Sequence, residues 1–213
     1  AKTKNFAYLS AGTWCILGIE SNDPVISEDA FKEGFTNERG YGDTFRVLKN
    51  IVGLWILQGL NKSLGDDLSF ADMEKMTETG EEPSQYINPD DPLFYNPDNM
   101  KEAFNLFFKK SDQEIPANVE DYIKIAYDSL CFSFKYYIEE LENLSGKHLD
   151  TIHVIGGGSQ SDYLNQRIAT ICRRDVISGP VEGATLGNIM IQGIAMGKIE
   201  NIEEGRKLIG ESY

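Results

Sequence analysis

The chain has 213 residues, 41% of them hydrophobic and 25% charged, enough for one large domain or two small ones with a real core, and wholesale disorder is excluded. Twenty Lys and Arg against 34 Asp and Glu leave a formal net charge of −14, so no cationic face is available for a nucleic-acid backbone or an anionic membrane. No run approaches the roughly 18 apolar residues of a membrane span, and Ala1 to Asn5 carry no apolar leader, so a cytoplasmic chain is expected.

The start also lacks a Met, which implies a processed chain or one cut from something longer. Cys15, Cys131 and Cys172 are odd in number, far apart and set among apolar neighbours. With no CxxC and no His at ligand spacing, they read as buried reduced thiols, and no structural zinc is expected.

In chain order, residues 6–10 and 13–19 read as two strands around the turn Ala11-Gly12, close enough to form a hairpin. Residues 20–43 are polar and turn-rich, with a short strand around Phe35. From Thr44 to Leu60 the period changes. Phe45, Leu48, Val52 and Trp55 fall on a helical stripe, and Arg46, Asn50, Leu54 and Gln58 follow at i+4 along one side. Residues 61–117 are the least regular part, with Pro83, Pro89, Pro92 and Pro97 close together. They predict an irregular excursion with short helices near 69–77 and 98–110, read as a surface connection or an inserted lid. Glu81-Glu82 and Asp90-Asp91 read there as solvated charges.

Asn118 to Leu144 carries apolar residues at three- and four-residue spacing. It predicts a long helix capped by Asn118 and ended by Gly146. The pattern then becomes β–α–β–α. A strand over 151–155 leads into the turn Gly156-Gly157-Gly158-Ser159 and a helix over 160–173. A strand over 175–178, the breaker Gly179-Pro180 and a helix over 183–197 follow, the last so apolar all round that it is expected to be buried. The whole reads as a single α/β domain, a mixed sheet with flanking helices.

Four segments are candidates for chemistry. The three-glycine turn after a strand lets backbone approach a flat or anionic ligand, and the helix beyond it offers free N–H donors. The alternative is a tight turn with no ligand. It fails as a dinucleotide fingerprint, because Asp175 precedes the second strand instead of following it, and no Gly-Lys-Ser/Thr makes it a P-loop. The turn Ser10-Ala11-Gly12-Thr13 can hold phosphate oxygens or be an ordinary hairpin. The polar stripe through Asn50 and Gln58 is either a solvent face or a ligand-facing edge. Ser178 to Ala184 leans to a structural role, with Glu182 suited to a helix start. His148 reads as a loop residue and His153 as a strand residue. No G-x-S-x-G elbow, isolated acid/base pair or metal cluster is present.

The blocks Ala7-Tyr8-Leu9-Ser10-Ala11-Gly12-Thr13-Trp14, Phe35-Thr36-Asn37-Glu38, Phe45 to Gln58, His153 to Gln160 and Gly179 to Asn188 resemble the FGGY sugar-kinase family, and within it the rhamnulokinase branch. Their order is the family's, and only 61–117 carries little signal. The resemblance implies a ribonuclease H-like, actin-like ATPase fold over 1–213, as the C-terminal nucleotide-binding lobe of a two-lobed kinase. It implies transfer of the ATP γ-phosphoryl group to L-rhamnulose with Mg²⁺. Carried over residue by residue, Thr13, Gln58 and Gly157 contact ATP, with Gly12, Gly156 and Gly158 shaping the same pocket, and Asn50 reaches the sugar.

The family's catalytic Asp motif has no counterpart after Ala1, so no catalytic residue is assigned and the chain alone is expected to be inactive. Gly183 also stands where the family more often has Ala. A second reading is a non-catalytic actin-like domain that binds nucleotide or a partner.

Overall fold

The computed structural model describes residues 5–65, 68–78 and 82–212. The hairpin forms as expected. β1 (Phe6–Ala11) and β2 (Trp14–Ser21) run antiparallel, with Tyr8 opposite Gly18 and Ala11 opposite Cys15. β3 (Thr36–Arg39) lies just after Phe35 and is preceded by α1 (Glu28–Lys32), a helix the polar composition had hidden.

The expected helix over 44–60 is corrected by the structure. Phe45–Val52 is strand β4, paired with β2 and β3, and only Trp55–Leu64 is helical, as α2. Arg46 and Asn50 therefore share a strand face, not a helix side with Gln58. The strand imitates a helix because both of its faces are partly covered. Val47 and Ile51 are buried on one face and Leu48 and Val52 on the other, so apolar pairs recur every four residues and the two-residue alternation is lost.

β5 (Thr151–Ile155) and β6 (Asp175–Ser178) join parallel to β1, giving the order β3-β4-β2-β1-β5-β6. One face of this mixed sheet carries Ala7, Leu9, Leu17, Ile51, Ile152 and Val154, all buried in a core shared with α5 (Val119–Ser145) and α6 (Asp162–Cys172). Each such large aliphatic side chain contributes roughly 1.5–3 kcal/mol on burial. On the opposite face Tyr8, Ile16, Asn50, His153 and Ile155 are only half-buried or exposed.

Gly146 ends α5 in the left-handed region, as expected. Asn118 stands at the N-cap but makes no side-chain bond to the helix backbone; its amide donates to Asp121.

The two helices expected in the excursion are α3 (Phe70–Thr77) and α4 (Met100–Lys110). The excursion is not a surface connection. Ile87, Phe94, Met100, Phe104 and Phe108 are buried, and Phe94 and Phe108 pack edge-to-face with Phe104 at ring-centroid distances of 5.3 and 6.0 Å. Its carboxylates are not merely solvated. Asp90 accepts from the Tyr137 hydroxyl at 2.7 Å, Asp91 from Lys110 at 2.9 Å, and Glu82 pairs with Arg167; Glu81 lies outside the described residues.

α7 (Gly183–Ala195) corrects a second expectation. No residue of it is buried, and Ile189 is 58% exposed. An apolar helix buries itself only where something packs over it, and α7 meets chiefly α8 (Ile202–Ser212) and the edge of β5 near Gly183.

His153 sits in β5 between Tyr8 and Ile177, edge-on to Phe6. Burial above all lowers its pKa to about 4, and the charge of Arg206 adds to the effect. A His depressed when folded contributes stability above its ordinary value near 6.5, and that contribution is lost as pH falls toward 4. His153→Gln is expected to remove this part of the acid sensitivity, read as flatter urea midpoints between pH 6.5 and 4.

Candidate functional site

Three chain segments meet where β1 and β5 end. The hairpin turn is held by the start of α2: Leu54 and Trp55 donate their amides to Gly12 and Thr13 at 2.9 and 3.0 Å. Gly53 permits this approach, because a Cβ there would sit 2.5 Å from the Gly12 oxygen. Gln58, one turn into α2, then reaches Thr13, its amide 3.4 Å from the hydroxyl.

The glycine turn lies beside this pair. After β5 the chain passes Gly156 at φ +85 and ψ −173, a region essentially restricted to glycine. A Cβ on Gly156 would meet the Ala11 oxygen at 2.8 Å, and one on Gly158 the Ala11 Cβ at 2.6 Å. These two glycines let the turns touch. Gly157 differs: a Cβ there has nothing within 4 Å. Gly157–Gln160 forms a 3-10 turn, whose first amides have no partner inside it. Ser178 and Asn165 both donate to the Ser159 carbonyl and brace the turn.

Between the two turns lies a cleft of about 490 Å³, the size of a small-molecule site. Gly12, Thr13, Gln58, Gly157 and Gly158 line it. Gly156 stands behind the wall as the turn's hinge. Asn50 is not among the lining residues; it is exposed on the open sheet face, opposite Ile16.

The far wall was not read from the sequence. It comes from Phe70, Ala71 and Glu74 of α3, Tyr127 of α5, and Ser161 and Leu164 at the start of α6. Ser161 caps α6 through the Leu164 amide at 2.9 Å and donates its hydroxyl to Glu74 at 2.6 Å. The capping pair Ser69 and Asp72 marks where α3 begins, but no local signal shows that α3 leans on a turn some ninety residues later. Among the described residues no Lys or Arg lines the cleft, so these offer an anion neutral donors only.

Residues 7–196 match the profile of the FGGY family of carbohydrate kinases, C-terminal domain. This chain belongs to that family. Among curated FGGY relatives, the rhamnulokinase of Ligilactobacillus salivarius is 37% identical over 99% of this chain and 43% of its own length. That of Bacillus subtilis is 35% identical over 98% of this chain and 43% of its own length. The chain thus spans under half the length of these relatives and corresponds to their C-terminal part.

Solved FGGY structures show the same fold at low identity. Xylulose kinase from Rhodospirillum rubrum superposes with a TM-score of 0.72 at 10% identity, over 96% of this chain and 41% of that one. Glycerol kinase from Plasmodium falciparum, solved with ADP, gives 0.63 at 14% identity over 95% and 41%. The mixed sheet and its helices are therefore the actin-like ATPase fold of the FGGY kinases.

Proposed function

We propose that this chain is the nucleotide-holding part of a sugar kinase that transfers the ATP γ-phosphoryl group to L-rhamnulose. The observation that carries the proposal is the convergence of Gly12, Thr13, Gln58 and Gly157 on one cleft from segments far apart in sequence. Two glycine turns and two neutral donors suit phosphate oxygens, and apolar walls suit a base. Thr13 and Gln58 orient the phosphates, and Gly156 and Gly158 hold the two turns in contact.

The relatives' name supports the sugar. Asn50, on the open sheet face, is assigned to it. Among the described residues no group of three or more His, Cys, Asp or Glu could hold a metal. Mg²⁺ would arrive on the nucleotide, where it would neutralise phosphate charge that the described lining residues, without a Lys or Arg, do not. The exposed apolar surface of α7 supports a further body over that side, which we assign to the lobe that supplies the base and most of the sugar site. No helix of the described residues is long and apolar enough to cross a membrane.

The test mixes the chain with the N-terminal lobe of a rhamnulokinase relative, Mg-ATP and L-rhamnulose, and follows sugar phosphate by phosphorus NMR. Product is expected from the mixture and not from the chain alone. A mixture that remains inert while the chain still binds ADP would favour a non-catalytic nucleotide-binding domain.

A further inference from the structure

The apolar lining of the cleft comes from Leu54, Phe70, Ala71, Tyr127 and Leu164. Two of these side chains carry rings, and they are not equivalent. Tyr127 is 1% exposed, so it offers a ligand no free ring face. Phe70 is 38% exposed, and among the described residues that line the cleft it is the one aromatic ring left open. A phenyl ring open inside a cleft keeps apolar area in water, and a flat apolar ligand would remove that area.

The position of Phe70 is set by α3. It is the first residue of that helix, directly after the capping residue Ser69, and Ser69 and Asp72 each accept the other's backbone amide at 3.2 Å. Met73 and Thr77, three and seven residues on, share its side of the helix and are buried. Glu74, four residues on, takes the Ser161 hydroxyl at 2.6 Å at the start of α6. That side of α3 is therefore held against the rest of the chain at Met73, Glu74 and Thr77, and Phe70 is the part of it left uncovered. A ring fixed in this way needs little further ordering when a ligand lands on it.

A nucleotide suits this arrangement. Its phosphates match the donors at the turns through Gly12, Thr13 and Gly157, and its base is a flat π-surface that gains by leaving water. Resting on the reading of this cleft as the nucleotide site, we propose that Phe70 is its base-binding residue, the platform on which the adenine ring stacks. The purine lies on the free side of the phenyl ring, in the offset arrangement that aromatic pairs prefer.

Calorimetric titration with Mg-ADP of the unaltered chain and of Phe70→Ala, Phe70→Leu and Phe70→Tyr tests this, with a melt of each without ligand. Phe70→Ala is expected to weaken ADP binding about tenfold or more, the range for a base on an aromatic ring. Phe70→Tyr keeps the ring face and should stay within about threefold of the unaltered chain, whereas Phe70→Leu keeps only apolar bulk and should lose about fivefold. In Phe70→Trp, ADP should quench emission beyond any change it causes in the unaltered chain, which already holds Trp14 and Trp55. An ADP affinity unchanged in folded Phe70→Ala overturns the proposal. So does full affinity in Phe70→Leu, which would make the residue apolar packing, or the absence of added quenching in a Phe70→Trp chain that binds ADP. If Phe70→Ala does not fold, Phe70→Leu and Phe70→Trp decide. If the unaltered chain binds no ADP, the nucleotide reading of the cleft falls and this inference with it; if it binds ADP and Phe70→Ala binds it equally well, only the role of Phe70 falls.

Discussion

Gly157→Val is expected to abolish stabilisation by Mg-ADP while leaving the chain folded. At about a hundred times its Kd, a ligand adds ~2.7 kcal/mol to stability. For a chain of this length that is roughly 5–10 °C in Tm. The variant should melt within about 2 °C of the unaltered chain without ligand and show no shift with it. The reason lies in the three consecutive glycines. Gly156 holds a conformation closed to other residues, and Gly158 presses on Ala11, so substitutions there damage the fold and the cleft together. Gly157 alone has free space where a side chain would begin, and it lines the cleft. Valine there begins in open space beside the cleft and takes volume from a ligand. A full ADP shift in Gly157→Val would remove the glycine turn from the nucleotide site.

The same turn shows what was legible in the sequence. Punctuation by glycine, proline and caps is local, so β5, the glycine turn, α5 and the hairpin could be read almost to the residue. The β4 error has a physical cause. A strand partly covered on both faces repeats its apolar residues in pairs, and Phe45 to Val52 then matches a helical template as well as a strand. The error on α7 has the opposite cause. Its all-round apolarity was read correctly as a demand for burial, but packing decides whether that demand is met within one chain. The near wall of the cleft came from two glycine-bearing turns. The far wall was invisible because Glu74 meets Ser161, and α3 meets α5, only through tertiary contact, and the residues of α3 look like those of any amphipathic surface helix.

Arg167→Ala is expected to cost about 3 kcal/mol, or roughly 6–12 °C in Tm, because it strands a buried charge. Arg167 on α6 donates two hydrogen bonds of 2.7 Å to Asp128, a fully buried residue of α5, and reaches Glu82 at 3.0 Å. Burial pushes the Asp128 carboxyl up, and the guanidinium opposes that rise. Without Arg167 the carboxyl should rise further. An acid raised in the folded state gains stability when protonated and loses it as pH climbs through the folded value. The deficit should therefore be largest at neutral pH and shrink as pH falls toward 4. Asp128→Asn in the Arg167→Ala background removes the stranded charge and should recover much of the loss, a coupling that a double-mutant cycle isolates. Arg167→Lys should recover less, since an ammonium cannot make the two parallel bonds. The pair also bears on the cleft. Asp128 follows Tyr127 on α5, and Arg167 lies one turn beyond Leu164 on α6, so the ion pair clamps together two helices that form the far wall. Arg167→Ala should then weaken ADP binding even under conditions where the chain remains folded, whereas a destabilising change elsewhere in the core should lower Tm and leave the affinity of the folded chain unchanged.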